Sequence, residues 1–181
     1  MNTYIALLRG INVSGQKIIK MEALKKAFES LNYERVTTYI QSGNVVFESA
    51  ANVTSLRTPI EKELLKSFGF EVPVIVKTVK EIEETIKRNP FKKIKTEKGE
   101  RLHVSFLSGI PAKAAVKELT AVKNDIDEIR LSGSEVYILT RNGYGKSLFS
   151  NTFIEKKLAV SATTRNWETV QTLLSLAKVG R

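Results

Sequence analysis

The chain contains no cysteine, one histidine (His103) and two aspartates (Asp125 and Asp127) among its 181 residues. Without cysteine it has no disulfide, no thiol nucleophile and no thiolate metal ligand. A zinc site or a Ser–His–Asp triad would have very few residues to draw on, so we expect no metal site and no cofactor. His103 lies in a predicted strand, where a half-buried, hydrogen-bonded histidine is the usual interpretation. Hydrolytic and metal-centred catalysis are therefore disfavoured, and other enzyme chemistry stays open.

Long apolar runs are also missing. Arg9 interrupts the only N-terminal apolar run, and that run lacks the basic leader and the cleavage-type spacing of a signal peptide. We therefore expect a cytoplasmic protein that does not associate with a membrane.

Positive charge is present in excess. The chain has 29 Lys and Arg against 19 Asp and Glu, which gives a formal net charge of +10. Such a charge favours anionic partners, including nucleic acid and phosphorylated metabolites, although solubility alone explains it equally well. Much of the excess lies in residues 87–101, which we interpret as a solvated connector with nucleic-acid binding as the alternative.

Hydrophobic periodicity in the first 78 residues predicts the order βαββαβ. Residues 3–9 alternate as a strand does, and residues 20–31 carry an apolar helical stripe. Strands at 36–41 and 45–48 surround the turn sequence Ser42-Gly43-Asn44, and a helix at 55–68 precedes a strand at 72–76. This order is the split βαβ pattern of the ferredoxin-like fold.

The second part of the chain repeats the first. The sequence Ser108-Gly109-Ile110-Pro111 parallels Arg9-Gly10-Ile11-Asn12, and Ile154-Glu155 parallels Ile60-Glu61. We predict an α+β protein of two ferredoxin-like halves in tandem, each an antiparallel sheet with helices on one face. The halves span residues 1–78 and 102–181, and a bridging helix and basic connector fill 79–101. Thr164 is the expected cap of a last helix that starts near Trp167.

Topology places two groups of polar residues. In a split βαβ unit, the loop after the first strand and the hairpin tip share one sheet edge, and in the second half the segments 141–147 and 163–166 share the opposite edge. The candidate ligand-binding residues at these edges are Arg9, Gly10, Asn12, Gly15, Gln41, Ser42, Gly43, Asn44, Lys146, Ser147, Thr164, Arg165 and Asn166.

Two glycine-containing loops approach a phosphate-binding motif without matching it. Gly10 and Gly15 have the spacing of a P-loop, but Gln16-Lys17 replaces its Lys-Ser/Thr ending. Gly145-Lys146-Ser147 has the ending, but Thr140 stands where the first glycine belongs. Capture of an anion by backbone N–H groups with Arg9, Lys146 or Arg165 is one interpretation, and purely structural turns are the other.

The motifs together resemble a family. Leu8-Arg9-Gly10-Ile11-Asn12-Val13, Gln41-Ser42-Gly43-Asn44-Val45 and Thr163-Thr164-Arg165-Asn166-Trp167 are similar to the motifs of the bacterial domain-of-unknown-function family 1697. The resemblance implies a paired α+β architecture and no particular activity. Ser14 departs from the family pattern, which often has glycine there.

Three functions remain open. The first is binding of an anionic, possibly phosphorylated, small molecule in a cleft between the halves. The second is nucleic-acid binding through a basic surface without sequence preference. The strands lack the aromatic signature of an RNA-recognition module, so such binding would depend on charge alone. The third is a structural or interaction protein in which Arg9 and Arg165 act as struts.

Overall fold

The computed structural model describes residues 1–92, 99–122 and 124–179. In chain order the elements are β1 (Asn2–Leu8), α1 (Met21–Glu29), β2 (Glu34–Tyr39), β3 (Asn44–Ser49), α2 (Val53–Phe68), β4 (Val74–Thr78), α3 (Val79–Lys87), β5 (Arg101–Leu107), α4 (Lys113–Thr120), β6 (Glu128–Ser132), β7 (Glu135–Thr140), a 3₁₀ turn (Tyr144–Lys146), α5 (Asn151–Leu158), β8 (Ala162–Asn166) and α6 (Trp167–Lys178).

The strands form two sheets with one topology. The first has the order β2-β3-β1-β4 and the second the order β6-β7-β5-β8, and every pairing within them is antiparallel. In each sheet the third strand therefore lies between the first two, which run parallel to one another. This confirms the predicted α+β class and the tandem ferredoxin-like pattern.

An aromatic cluster anchors the first core. Phe47 of β3 is fully buried, and its ring centroid lies 5.8 Å from Tyr4, 5.4 Å from Phe28 and 4.6 Å from Tyr33. Such aromatic pairs add about 0.5–1.5 kcal/mol each beyond the area they bury. The cluster fixes α1 against the sheet and so positions the loop that leads into that helix.

Equivalent hydrogen bonds occur in the two sheets. Glu61 of α2 accepts a 2.9 Å hydrogen bond from the N–H of Val74, the first residue of β4. Glu155 of α5 accepts one of 2.8 Å from the N–H of Ala162, the first residue of β8. These two glutamates were paired by sequence alone, and their identical roles support the predicted duplication.

The helices α2 and α5 end in the same way with different residues. Gly69 ends α2 in a left-handed conformation at φ +78°, and Ala159 ends α5 at φ +54°. Both N–H groups donate 2.8 Å hydrogen bonds to a carbonyl four residues earlier. Only glycine adopts this conformation without a steric cost.

We therefore expect Ala159→Gly to raise the free energy of unfolding by about 0.5–1 kcal/mol, since the relief of strain exceeds the added chain entropy. Urea denaturation followed by circular dichroism measures the change. Ala121→Gly is the control, because Ala121 ends α4 in the right-handed region and should lose stability instead. A loss of stability in both variants would contradict the prediction.

Contacts divide the chain into two compact units. The first takes in residues 1–83 and the C-terminal residues from 172 onward, and the second takes in residues 84–171. The helices α3 and α6 each cross from one unit to the other in sequence. The halves proposed from the sequence repeat, residues 1–78 and 102–181, are a different division of the chain and stay a prediction.

Several element boundaries differ from the sequence predictions. The strand expected at 36–41 spans Glu34–Tyr39, because a bulge shifts its register and Ile40 takes a left-handed conformation that ends it. The helix expected at 20–31 ends at Glu29. Among the described residues, no helix combines the length and apolar character that crossing a membrane requires.

Candidate functional site

The loop after β1 and the β2–β3 hairpin meet at one edge of the first sheet. The N–H of Leu8 donates to the carbonyl of Gly43 at 2.9 Å, and the side chain of Asn12 donates to the carbonyl of Gln41 at 2.8 Å. We call residues 9–20 the Asn12 loop and residues 40–43 the hairpin tip. The structure thus brings together the residues that topology assigned to this edge.

Asn12 braces its loop with both ends of its amide. Its Nδ2 donates to the carbonyls of Ile19 at 3.0 Å and Gln41 at 2.8 Å, and its Oδ1 accepts from the N–H of Ile19 at 2.8 Å. The side chain of Asn44 is fully buried and donates to the carbonyl of Tyr39 at 2.9 Å and to the Ser42 hydroxyl at 3.0 Å. Both asparagines therefore position backbone around the edge.

Left-handed backbone is concentrated at this edge. Seven non-glycine residues of the described chain have positive φ, and four of them lie here: Asn12 (+55°), Ser14 (+50°), Lys17 (+48°) and Ile40 (+47°). The conformation is especially unfavourable for a β-branched residue such as Ile40. It also explains why glycine suits the position of Ser14. Strain of this kind clusters at ligand-binding sites.

Positive charge surrounds the Asn12 loop. Arg9 is half-buried at the start of the loop, while Lys17 and Lys20 are exposed. The Lys17 ammonium donates to the carbonyl of Glu71 at 2.6 Å and lies 5.7 Å from the centre of the Phe70 ring. The loop leads into α1, whose N-cap residue Lys20 makes no side-chain capping hydrogen bond. The first N–H groups of α1 add to the positive potential.

The glycines of the two loops play different parts. Gly10 and Gly15 have left-handed φ values of +70° and +73°, and a side chain at either would meet no atom within 4 Å. Gly43 is tightly enclosed by Leu8 and Ile11. Gly10 and Gly15 therefore leave the loop backbone accessible. The absence of a side chain at Gly43 allows the hairpin tip to pack closely against the loop.

The second group of predicted residues, in the second unit, forms a hydrogen-bonded chain. The Tyr144 hydroxyl donates to the Thr164 hydroxyl at 3.0 Å, which donates to Asn151 Oδ1 at 2.6 Å. The Ser147 hydroxyl accepts from the N–H of Phe149 at 3.1 Å. Most of this edge is therefore occupied by contacts within the protein, while the Lys146 side chain is exposed.

The cap of α6 is Asn166 and not Thr164. Asn166 Oδ1 accepts a 2.7 Å hydrogen bond from the N–H of Thr169. The prediction that Thr164 would cap this helix was wrong, because β8 continues to residue 166 and places Asn166 immediately before Trp167. The Asn166 side chain thus stabilises the helix start.

Arg165 lies on the opposite face of β8 from Thr164 and Asn166, as strand alternation requires. It is only 6% exposed, and its Nη1 donates to the Thr163 hydroxyl at 2.8 Å and to the carbonyl of Thr164 at 2.9 Å. Burial lowers the pKa of Arg165 to about 10. These contacts fit the role of an internal strut better than that of a partner to exposed Lys146.

The sequence did not predict which residues surround the His103 side chain. Its ring stacks on Tyr144 with centroids 4.9 Å apart, and burial lowers its pKa. Strand position alone predicted half-burial, but the stacking partner lies 41 positions away in sequence.

A groove of about 480 Å³ in the first unit was also not predicted. Residues of α1, β2, β3 and the end of α6 line it. Its charges are paired, since Lys25 lies 3.7 Å from Glu29 and Arg35 lies 3.7 Å from Glu48. The groove therefore offers little net field to a charged ligand.

Two further sequence predictions concern the basic stretch and metal binding, and the structure bears on each only through the described residues. Residues 93–98 of the basic stretch, with Lys93, Lys95 and Lys98, lie outside the described residues. In the part of the chain that the structure describes, no three His, Asp or Glu side chains gather as metal ligands do.

Comparison with known proteins identifies relatives of unknown function. The sequence profile of the family described as "Protein of unknown function (DUF1697)" matches residues 1–137. A search of curated protein sequences finds no match. The structure is similar to that of the conserved bacterial protein SP0830 from Streptococcus pneumoniae, with a TM-score of 0.78 and 19% sequence identity over 98% of this chain and 99% of that chain. This likeness shows the fold alone.

A second comparison adds nothing to the interpretation. An unknown protein from Galdieria sulphuraria aligns over 91% of this chain and 98% of its own, with a TM-score of 0.26 and 8% identity. A score this low does not indicate a shared fold.

Proposed function

The chain belongs to the DUF1697 family, and from that premise we propose that it binds an anionic, phosphorylated small molecule at the Asn12 loop. Arg9 supplies the main charge, and Lys17 and Lys20 add to it. Gln41 and Ser42 on the hairpin tip orient the ligand, while Asn12 and Asn44 hold the backbone in place. That the ligand also reaches the other half of the chain stays a prediction.

The observation that carries this proposal is a comparison of two equivalent connections. The Asn12 loop takes twelve residues to join β1 to α1, whereas residues 108–112 join β5 to α4 in five. The short connection, all of which the structure describes, has no residue with positive φ. Joining strand to helix therefore needs neither the extra length nor the strain.

The strain in the Asn12 loop has an energetic cost. Three non-glycine residues in left-handed conformations cost about 1 kcal/mol each or more, and the hydrogen bonds of Asn12 offset that cost. A loop kept in a costly conformation by a dedicated brace is typical of a preorganised binding site.

The chemistry of the edge favours an anion over a neutral ligand. The edge offers positive charge or N–H donors from a guanidinium, two ammonium groups, exposed glycine backbone and a helix N-terminus whose N-cap residue has no capping side-chain bond. The net charge of +10 adds a long-range attraction in the same sense.

We expect the protein to bind inorganic pyrophosphate, a nucleoside diphosphate or a sugar phosphate, and Arg9→Gln to weaken that binding. Loss of a charge-assisted pair costs about 1.5–3 kcal/mol, or roughly 10- to 150-fold in Kd. Isothermal titration at low salt measures the affinity, and thermal shift ranks the three probes.

Lys26→Gln is the matched control, because Lys26 is an exposed cation of the same unit and forms an ion pair with Glu22 at 3.2 Å on the surface of α1. It should leave Kd unchanged. No binding of any probe at millimolar concentration, or equal Kd values for the two variants, would refute the proposal. A loss of stability in Arg9→Gln without any ligand would favour the structural role instead.

A further inference from the structure

Exposed aliphatic side chains lie on the Asn12 loop and the hairpin tip. Nine large hydrophobic residues of the described chain are exposed, and three of them belong to these two short segments: Val13, Ile18 and Ile40, which are 45% to 61% exposed. Single exposed hydrophobic residues are normal on a protein surface, but a concentration of them marks a surface that contacts something else. The edge that is proposed to bind an anion therefore also presents apolar surface.

The hydrogen bonds of the Asn12 amide bring the three exposed positions together. The amide bonds the backbone of Ile19 and the carbonyl of Gln41. Each exposed residue is the immediate sequence neighbour of one of the three residues that the amide joins. Each is therefore one Cα step, about 3.8 Å, from the same hydrogen-bonded centre.

A defined turn carries the outermost of the three side chains. The N–H of Gln16 donates to the carbonyl of Val13 at 2.9 Å. Between them, Ser14 and Gly15 both have positive φ, at +50° and +73°. Positive φ at both central residues is characteristic of the tight type I′ turn. Val13 is thus presented to solvent on hydrogen-bonded backbone.

Ile40 is unfavourable for the stability of the protein on two counts. Its φ of +47° is an outlier for a β-branched residue, and its side chain leaves apolar surface in water. Glycine or asparagine adopts this conformation at a lower cost and would remove the exposed apolar group. Isoleucine at this position therefore fits contact with a bound molecule better than support of the fold.

Positive charge lies next to these aliphatic side chains. Lys17 directly precedes Ile18, and its ammonium lies 5.7 Å from the centre of the half-buried Phe70 ring. Arg9 and Lys20 lie at the two ends of the same loop. A bound molecule would thus meet cationic and apolar groups side by side. This combination suits a ligand that carries an anionic group and an apolar group together.

We propose that the Asn12 loop and the hairpin tip bind a soluble phosphate monoester that carries a short alkyl chain. The phosphate lies at the cations, and the chain lies against the three exposed aliphatic side chains. This inference rests on the proposed function and narrows its ligand from phosphorylated molecules in general to amphiphilic ones. Since none of the three side chains is aromatic, they favour an alkyl chain over a ring that would need a stacking partner.

A series of alkyl phosphates tests the contact with the chain. Methyl, butyl and hexyl phosphate share one headgroup, so differences in Kd report the apolar contact. Each methylene removed from water tightens binding by up to about fourfold, and Kd should fall at least about tenfold from methyl to hexyl phosphate. Isothermal titration at constant ionic strength measures the series.

The same series separates failure of this inference from failure of the proposed function. Equal Kd values for the three esters would overturn the inference. If Arg9→Gln nevertheless weakens the binding of methyl phosphate, the anion site stands without the apolar contact. If neither the esters nor pyrophosphate bind, the proposed function and this inference are both refuted.

Combined replacement of Val13, Ile18 and Ile40 by threonine should remove the dependence on chain length. Threonine keeps the branch at Cβ, so the backbone preferences change little while apolar contact is lost. Methyl phosphate should bind this variant as it binds the natural protein, and hexyl phosphate should lose its advantage of about tenfold. A dependence on chain length that survives the three substitutions would overturn the inference.

Val179→Thr is the matched control. Val179 is an exposed aliphatic residue of the same unit and lines the groove of about 480 Å³ together with Thr3. Thr3 lies near the start of β1, whereas the Asn12 loop follows the end of that strand. The control should keep the full dependence on chain length. If Val179→Thr abolishes it, the alkyl chain binds in the groove and the inference is wrong.

Vesicles distinguish a soluble ligand from a membrane surface. Vesicles of phosphatidylcholine with phosphatidic acid present the same phosphate monoester on a lipid, and we expect no cosedimentation with them. Cosedimentation at lipid phosphate concentrations below the Kd of hexyl phosphate would assign the apolar edge to a membrane and overturn the proposal of a soluble ligand.

Discussion

Replacing Gly43 with alanine is expected to lower the free energy of unfolding by about 2–4 kcal/mol, as the sum of left-handed strain and overpacking. Gly43 has φ +78°, and an added Cβ would lie 2.7 Å from Ile11 Cδ1 and 2.8 Å from Leu8 Cβ. The end of Ile11 can turn away, but Leu8 Cβ is attached directly to the backbone of β1. The hairpin tip must therefore move from the loop it supports.

Gly10→Ala separates the two contributions. Gly10 has a similar φ of +70° but no neighbour within 4 Å of an added Cβ, so its replacement costs only the strain, about 1 kcal/mol. Urea denaturation of both variants, followed by far-ultraviolet circular dichroism, gives the difference. Equal losses in the two variants would mean that the close approach at Gly43 is relieved without cost.

Asn12→Asp is expected to lower the free energy of unfolding by about 2–3 kcal/mol at pH 7, although the two side chains have the same size. The carboxylate can still accept from the N–H of Ile19, but it cannot donate to the carbonyls of Ile19 and Gln41. Two carbonyl oxygens would then face a negative oxygen at about hydrogen-bond distance. The brace would become a repulsive contact.

The loss should depend on pH. Repulsion from the carbonyls favours the protonated acid, so the folded-state pKa of the new carboxyl lies above its unfolded value of about 3.9. The stability that protonation restores is therefore complete below the unfolded pKa and disappears as pH rises through the folded pKa. The difference from the natural protein should be smaller at pH 4 than at pH 7.

Asn32→Asp is the matched control for this prediction. Asn32 is also a left-handed asparagine, at φ +60°, but it lies in an exposed turn. Its replacement should change the free energy of unfolding by less than about 0.5 kcal/mol at either pH. If Asn12→Asp behaves like this control, the amide of Asn12 does not brace the loop. Under the proposed function, Asn12→Asp also weakens binding of pyrophosphate, which calorimetry would detect.

Local patterns predicted much of the fold. The two βαββαβ orders followed from periodicity and turn residues, and the pairing of Glu61 with Glu155 followed from the repeat. Boundaries were less accurate where the backbone departs from regular geometry. The bulge in β2 and the left-handed Ile40 depend on tertiary packing that no local pattern expresses.

The positions of the candidate residues were predicted better for the groups than for single side chains, and their binding role stays a prediction. Topology correctly placed Asn12 and Gln41 at one sheet edge, where Arg9 directly follows β1, because the ends of neighbouring strands must meet there. The sequence could not distinguish a polar side chain that stabilises the loop backbone from one that binds a ligand, since both are polar residues in loops. Period-two alternation within β8 was available to separate Arg165 from Thr164, and the structure follows it.

The sequence by itself determined the strand and helix order, the duplication and the positive charge, because each follows from residue types and their spacing along the chain. Only the tertiary structure decided that Asn12 and Asn44 hold backbone, that Arg165 is buried and that Tyr144 stacks on His103. Those roles depend on which atoms, far apart in sequence, come within hydrogen-bond or stacking distance. Spacing along the chain does not set these distances, since they arise from the packing of elements against one another.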